Sequence, residues 1–250
     1  MGAKTNIEWT DGGGTWNPWY GCKKVSPGCL KCYAEREMTR FGRDFNTVTR
    51  AKNATFYAPL KWEQPRKIFT CSWSDFFIRE ADAWREDAWK VILATPQHTY
   101  QILTKRPGLM VAWAKTHPWP DHVWAGTSVE SQKYVQRLDV LARVPAKVRF
   151  VSCEPLLDFL NLHLSPSPLV KDGHVISLVI VGGESGSCAR PVNLDWIRSI
   201  RNQCLIGNVP FFLKQLGGSR DKRGGDKALL DGELWREMPG EIKAGEYNYE

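Results

Sequence analysis

Lys67-Ile68-Phe69-Thr70-Cys71-Ser72 is a β-branched and aromatic run. The stretch 81–94 then carries Trp84, Ala88, Trp89, Ile92 and Leu93 at helical spacing, and Thr99-Tyr100-Gln101-Ile102-Leu103-Thr104 returns to the first pattern. Strand, amphipathic helix and strand in succession form the unit from which a parallel sheet with crossover helices is built. The alternation continues downstream, with strands predicted at 123–127, 148–153, 177–181 and 210–214. A helix over 131–142 presents Tyr134, Leu138 and Leu141, and another over 193–204 places Leu194, Ile197 and Ile200 on one stripe with Asp195 near its start. Right-handed crossovers wind such units into a barrel or an open sheet, and the expectation is an α/β fold, a partial or complete (β/α) barrel.

Residues 1–66 precede the repeat. They are expected to hold an early strand over 7–10, a cysteine loop and a helix over 33–41, with Pro65 closing the section. The stretch 164–173, with Pro166 and Pro168, reads as an insertion or lid loop. Residues 1–216 are expected to form one barrel-like domain that includes a functional loop at 15–35. From Gly217 the chain turns basic and then acidic, which predicts a loosely attached tail over 217–250.

A chain of 250 residues with 42% hydrophobic content buries one substantial core. No apolar run approaches the roughly 18 residues of a membrane span, so neither membrane insertion nor secretion is expected. Of seven cysteines, three fall between positions 22 and 32 and the others are scattered. That distribution fits a reducing compartment with one ligand site better than a disulfide framework, and it predicts a cytoplasmic location.

The net charge of +7 favours polyanionic partners, because neutralising phosphates supplies most sequence-independent binding to nucleic acids. Basic residues cluster at Lys23-Lys24, Arg40-Phe41-Gly42-Arg43, Arg50-Ala51-Lys52 and Arg220-Asp221-Lys222-Arg223. Each run also reads as an ordinary solvated surface. DNA or RNA is therefore a candidate partner, and exposed members of the twelve tryptophans would stack on bases, although core packing accounts for most of them.

The predicted strands end on polar groups: Ser72, Ser74 and Asp75; Lys105 and Arg106; Ser128 and Glu130; Glu154; Glu184; and Lys214. In parallel α/β folds this is where functional groups gather. Upstream, Gly21-Cys22-Lys23-Lys24-Val25-Ser26-Pro27-Gly28-Cys29-Leu30-Lys31-Cys32 places three thiols in a loop that Pro27 and Gly28 turn. Three thiolates suit a [4Fe–4S] cluster with one iron open. Zinc is the competing occupant, although a structural zinc wants a fourth protein ligand and no further cysteine or histidine is close in sequence. Unligated thiols are the third alternative.

The chain resembles the three-cysteine-motif proteins of phages and bacteria. That resemblance is carried by Ile7-Glu8-Trp9-Thr10-Asp11, Thr15-Trp16-Asn17-Pro18, Cys32-Tyr33-Ala34-Glu35, Ser74-Asp75-Phe76-Phe77, Leu103-Thr104-Lys105-Arg106-Pro107, Val181-Gly182-Gly183-Glu184-Ser185-Gly186 and Ala189-Arg190-Pro191, among others. Such proteins look like divergent radical S-adenosylmethionine enzymes, although six residues separate Cys22 from Cys29 where that superfamily ordinarily has three. The resemblance implies a [4Fe–4S] cluster on Cys22, Cys29 and Cys32, S-adenosylmethionine held by Tyr33, Ser72, Ser74, Asp75, Ser128, Glu130 and Glu154, and a substrate met by Lys105, Arg106, Glu184, Arg190 and Lys214. The implied activity is radical repair or modification of a nucleic acid, with an electron donor and a protein partner as further candidates. A radical enzyme acting on a small molecule, and a non-catalytic iron–sulfur or zinc protein that binds nucleic acid, are the alternatives.

Overall fold

The computed structural model describes residues 5, 7–164 and 176–240. Its strands are β1 (Gly14–Trp16), β2 (Trp19–Tyr20), β3 (Thr49–Arg50), β4 (Lys67–Thr70), β5 (Thr99–Thr104), β6 (Val123–Ser128), β7 (Arg149–Cys153), β8 (Leu178–Gly182), β9 (Phe211–Gln215), β10 (Leu229–Leu230) and β11 (Glu233–Leu234). The α-helices are α1 (Tyr33–Arg40), α2 (Asn53–Phe56), α3 (Asp82–Leu93), α4 (Pro107–Ala114), α5 (Arg137–Leu141) and α6 (Leu194–Gly207). Seven strands pair in the order β1-β4-β5-β6-β7-β8-β9, all parallel, and the sheet curls into an open half-barrel. The α/β class and the partial barrel are thus as read from the sequence, and the complete barrel is not formed.

Alternate residues of each strand serve two cores. On the helix-covered face, Ile68, Tyr100, Ile102, Val151 and Val181 pack with Trp89, Ile92, Met110, Leu141 and Ile197. On the inner face, Phe69, Phe150, Leu178, Ile180 and Phe212 pack around Trp9 and Met238. Gly126 belongs to that inner layer, and a Cβ there would collide with the Phe150 ring, so the close approach requires glycine. Because both faces are buried, β8 is buried at every position.

Residues 7–10 do not form the expected strand. Glu8–Thr10 is a 3-10 turn, followed by Asp11 and Gly12 in left-handed conformation (φ 53° and 67°). Two left-handed residues break extended pairing, so β1 starts only at Gly14. The turn seats Trp9 inside the half-barrel, where its carbonyl accepts from Gln101 Nε2 at 3.3 Å and its ring lies 4.7 Å from that of Phe69. Helix α4 had no sequence forecast, because Pro-Gly-Leu-Met-Val-Ala-Trp-Ala has no polar stripe. The helix expected over 131–142 divides into a 3-10 turn, Gln132–Tyr134, and the short α5. Helix α6 starts where expected, its Asn193 cap accepting from Asp195 N at 2.9 Å.

Residues 217–240 run along β9: Leu213 N donates to Trp235 O at 2.8 Å and Glu237 N to Phe211 O at 3.1 Å, while Leu230 and Met238 are buried. The remaining residues of the expected tail, 241–250, lie outside the described residues, as does most of the expected lid loop at 164–173. Among the described residues no helix is long and apolar enough to cross a membrane.

Candidate ligand cavity at the strand ends

A cavity of about 510 Å³ opens at the C-terminal ends of the parallel strands. Ile7, Trp9, Phe69 and Leu103 give it an apolar floor, which is the upper part of the inner core. Its walls come from the loops that leave β1 and β4 to β9, so residues far apart in sequence meet there because every parallel strand points the same way. Thirteen of the fifteen site residues expected from sequence line it: Cys22, Cys29, Cys32, Tyr33, Ser72, Ser74, Asp75, Lys105, Arg106, Ser128, Glu154, Glu184 and Lys214. Glu130 and Arg190 stand behind the wall. The sequence reading missed the apolar floor, together with Lys31, Arg36 and Lys222 on the rim.

The carboxylates differ in how fully they are occupied. Asp75 is buried, and its oxygens accept from Phe77 N (2.9 Å), Thr104 Oγ1 (2.6 Å), Lys105 N (3.0 Å) and Arg106 Nη1 (2.8 Å). Arg106 also donates to Lys23 O at 2.9 Å, which ties the cysteine loop to the end of β5. Glu184 accepts from the Arg190 backbone and Nε at 2.9 and 3.0 Å, and Arg190 Nη2 reaches Pro27 O at 3.2 Å. Burial acts to raise the Glu184 carboxyl, but the hydrogen bonds from Arg190 and the nearby Lys31 outweigh it and hold it below its ordinary value. With Lys31 Nζ on Cys188 O and Arg36 Nη1 on Ser185 O at 3.1 Å, this pair staples the loop after β8 to the cysteine loop across the mouth.

Glu154 has a simpler partner, Lys214 Nζ at 2.6 Å, and lies against Gly182, where a Cβ would stand 3.1 Å from its carboxyl carbon. Glu130 is fully buried and paired with Arg137 at 3.0 Å, while its Oε1 has no hydrogen-bond partner and faces Gly28 of the cysteine loop. Tyr33 donates to Ser72 O at 2.7 Å, and Ser72 Oγ accepts from Asn17 Nδ2 at 2.9 Å, fixing the start of α1 to the loop after β4. Lys105 stands apart: half-buried and lining the cavity, its ammonium forms no ion pair among the described residues.

The expected metal centre is not built. Among the described residues no group of three or more histidine, cysteine, aspartate or glutamate side chains is placed to hold a metal ion. The state of the thiols agrees with this. Cys22 Sγ donates to Lys23 O at 3.6 Å, and Cys29 Sγ shares a hydrogen bond with Ser26 Oγ at 3.7 Å. Burial, with Asp75 adding to it, pushes the Cys22 thiol up to about 12, and burial raises Cys32 as well. Iron and zinc bind thiolates, and burial opposes that form at Cys22 and Cys32. The [4Fe–4S] cluster, the S-adenosylmethionine bound to it, the radical activity on a nucleic acid or a small molecule, and the iron–sulfur or zinc alternative are withdrawn together. The electron donor loses its purpose with them.

A family model matches residues 4–239, nearly the whole chain. The chain belongs to DUF5131, a family of proteins of unknown function. Membership replaces the resemblance to phage and bacterial radical enzymes, for the matched family carries no assigned chemistry. Neither a curated protein nor a solved structure gives a significant match.

Proposed function

We propose that the cavity at the strand ends binds a phosphate-bearing ligand. The supporting observation is Lys105, a half-buried cation with no carboxylate partner among the described residues, in a site where other charges pair as Asp75–Arg106, Glu154–Lys214 and Glu184–Arg190. A partly desolvated ammonium without a counter-ion gains from an anion that completes it. Lys222 on the rim adds a second cation that forms no ion pair among the described residues, while Ser128 and Ser152 supply hydroxyls able to donate to phosphate oxygens. The apolar floor of Trp9, Phe69 and Leu103 suits a flat organic body attached to that phosphate.

In this reading Lys105 contacts the anion, and Lys214 is able to shift from Glu154 toward it. Asp75, Arg106, Glu184 and Arg190 position the loops. The phosphate has two possible sources, a free nucleotide or a nucleic-acid strand, and both present the same chemistry to Lys105. Titration calorimetry of the full chain with inorganic pyrophosphate, a nucleoside triphosphate and a short single-stranded oligonucleotide tests the proposal. Binding of pyrophosphate, weakening as salt rises, is the expected result, and the other two compounds tell the sources apart. No heat from pyrophosphate at low salt contradicts it.

A further inference from the structure

Half of the molecule's basic character is concentrated beside the cavity mouth. Residues 23–50 carry seven lysines and arginines against three carboxylates, a net +4 of the chain's +7. Two of those carboxylates are engaged locally: Glu35 pairs with Lys24 at 2.7 Å, and Glu37 accepts from Trp73 Nε1 at 2.7 Å. The third, Asp44, caps its own turn by accepting from Asn46 N and Thr47 Oγ1. Arg40 and Arg43 are exposed and form no ion pair among the described residues.

On this basic face, four flat groups follow one another. Phe41 lies against Trp73 with ring centroids 5.8 Å apart and planes 33° apart. The Arg43 guanidinium carbon sits 6.0 Å from the Trp73 ring and 4.4 Å from that of Tyr20. The hydrogen bond to Glu37 fixes the indole, so its faces keep a set orientation. Phe41 forms the outer end, and 63% of it is exposed. A large ring left in water at the end of such a stack, flanked by uncompensated cations, has nothing to gain from the fold itself.

We infer that the Phe41–Trp73–Arg43–Tyr20 stack is a docking platform for a single-stranded nucleic acid, DNA or RNA. A base would stack on Phe41 while Arg40 and Arg43 follow the phosphates. Single strands are favoured over duplexes because only unpaired bases offer their faces to an aromatic ring. The platform stands on its own contacts. In naming a strand as the source of the phosphate, the inference rests on the proposed reading of the cavity.

The test is fluorescence anisotropy of the full chain with labelled twelve-nucleotide DNA and RNA strands, beside calorimetry with inorganic pyrophosphate. Phe41→Ala is expected to weaken strand binding about tenfold, within the range for one stacked base, while Phe41→Trp retains it and pyrophosphate binding is unchanged. Arg40→Gln with Arg43→Gln is expected to reduce the salt slope by about 1.4, the value for two phosphates on a single strand. The platform is overturned if neither strand binds at low salt, if Phe41→Ala binds as tightly as the parent chain, or if poly-glutamate competes as well as the strands do. Loss of pyrophosphate binding alone, with strand binding still dependent on Phe41, overturns the cavity reading and leaves the platform standing.

Discussion

Asp75 and Glu154 are both carboxylates at the C-terminal edge of one sheet, both face the same cavity and both pair with a cation, yet their surroundings are opposite. Asp75 is buried and spends its oxygens on four donors from the loop after β4 and the end of β5. Glu154 is partly exposed and makes one contact, to a lysine that is itself partly exposed. A saturated carboxylate holds loops in place and has little left to offer a ligand. A singly bonded pair on the cavity wall can exchange partners at small cost. Strand-end position alone therefore does not separate scaffold from site; unused hydrogen-bonding capacity does.

Removing Asp75 should produce the largest effect. Asp75→Ala leaves the largely buried Arg106 without its counter-ion and three further donors without their acceptor, and should lower the unfolding free energy by about 3 kcal/mol or more, read by urea denaturation. A loss below about 1 kcal/mol, in the range of an exposed pair, would erase the distinction. The thiols probe the same desolvated corner. Cys22 lies near Asp75, and with its thiol held near 12 against an ordinary 9.0, it should react with iodoacetamide at pH 8 roughly a hundredfold more slowly than the exposed Cys188. Equal rates by mass mapping would mean that the cysteine loop is open.

Glu154→Ala should cost about 1 kcal/mol or less in the same denaturation experiment, because its pair with Lys214 remains in contact with water. The smallest effect belongs to Glu184. Its folded value lies below the ordinary 4.5, so its contribution to stability is present above 4.5 and is lost as pH falls through the lower folded value. Thermal melting from pH 6 to pH 2.5 should therefore show a shallower acid decline for Glu184→Gln than for the parent chain. Parallel curves would remove Arg190 and Lys31 as the cause of the shift.

Much of the architecture was legible in the sequence. Runs such as Thr99–Thr104 and the stripe of Leu194, Ile197 and Ile200 encode strands and crossover helices directly, since burial follows their periodicity. Strand β1 was hidden because three residues after a glycine tract carry no periodic signal, and α4 because an almost wholly apolar segment has no face to detect. Polar residues after strands located the cavity, but their roles depended on contacts invisible in sequence. Arg36 meets Ser185 across 149 positions, and the four donors on Asp75 come from two loops. Cysteine spacing misled for a physical reason as well. Proximity along the chain brought the thiols to one cavity, while desolvation, which spacing does not report, disfavours the thiolates of Cys22 and Cys32, and among the described residues no metal-holding group was formed.

The comparison of occupied and unoccupied groups ends at Lys105, the half-buried cation with no carboxylate partner among the described residues. Titration of inorganic pyrophosphate into the parent chain, Lys105→Ala and Lys115→Ala, followed by calorimetry at low salt, measures what that ammonium does. The account predicts at least a tenfold loss of affinity for Lys105→Ala, from one charge-assisted contact of roughly 1.5–3 kcal/mol, with Lys115→Ala binding as the parent chain does. Undiminished pyrophosphate binding by Lys105→Ala would contradict it.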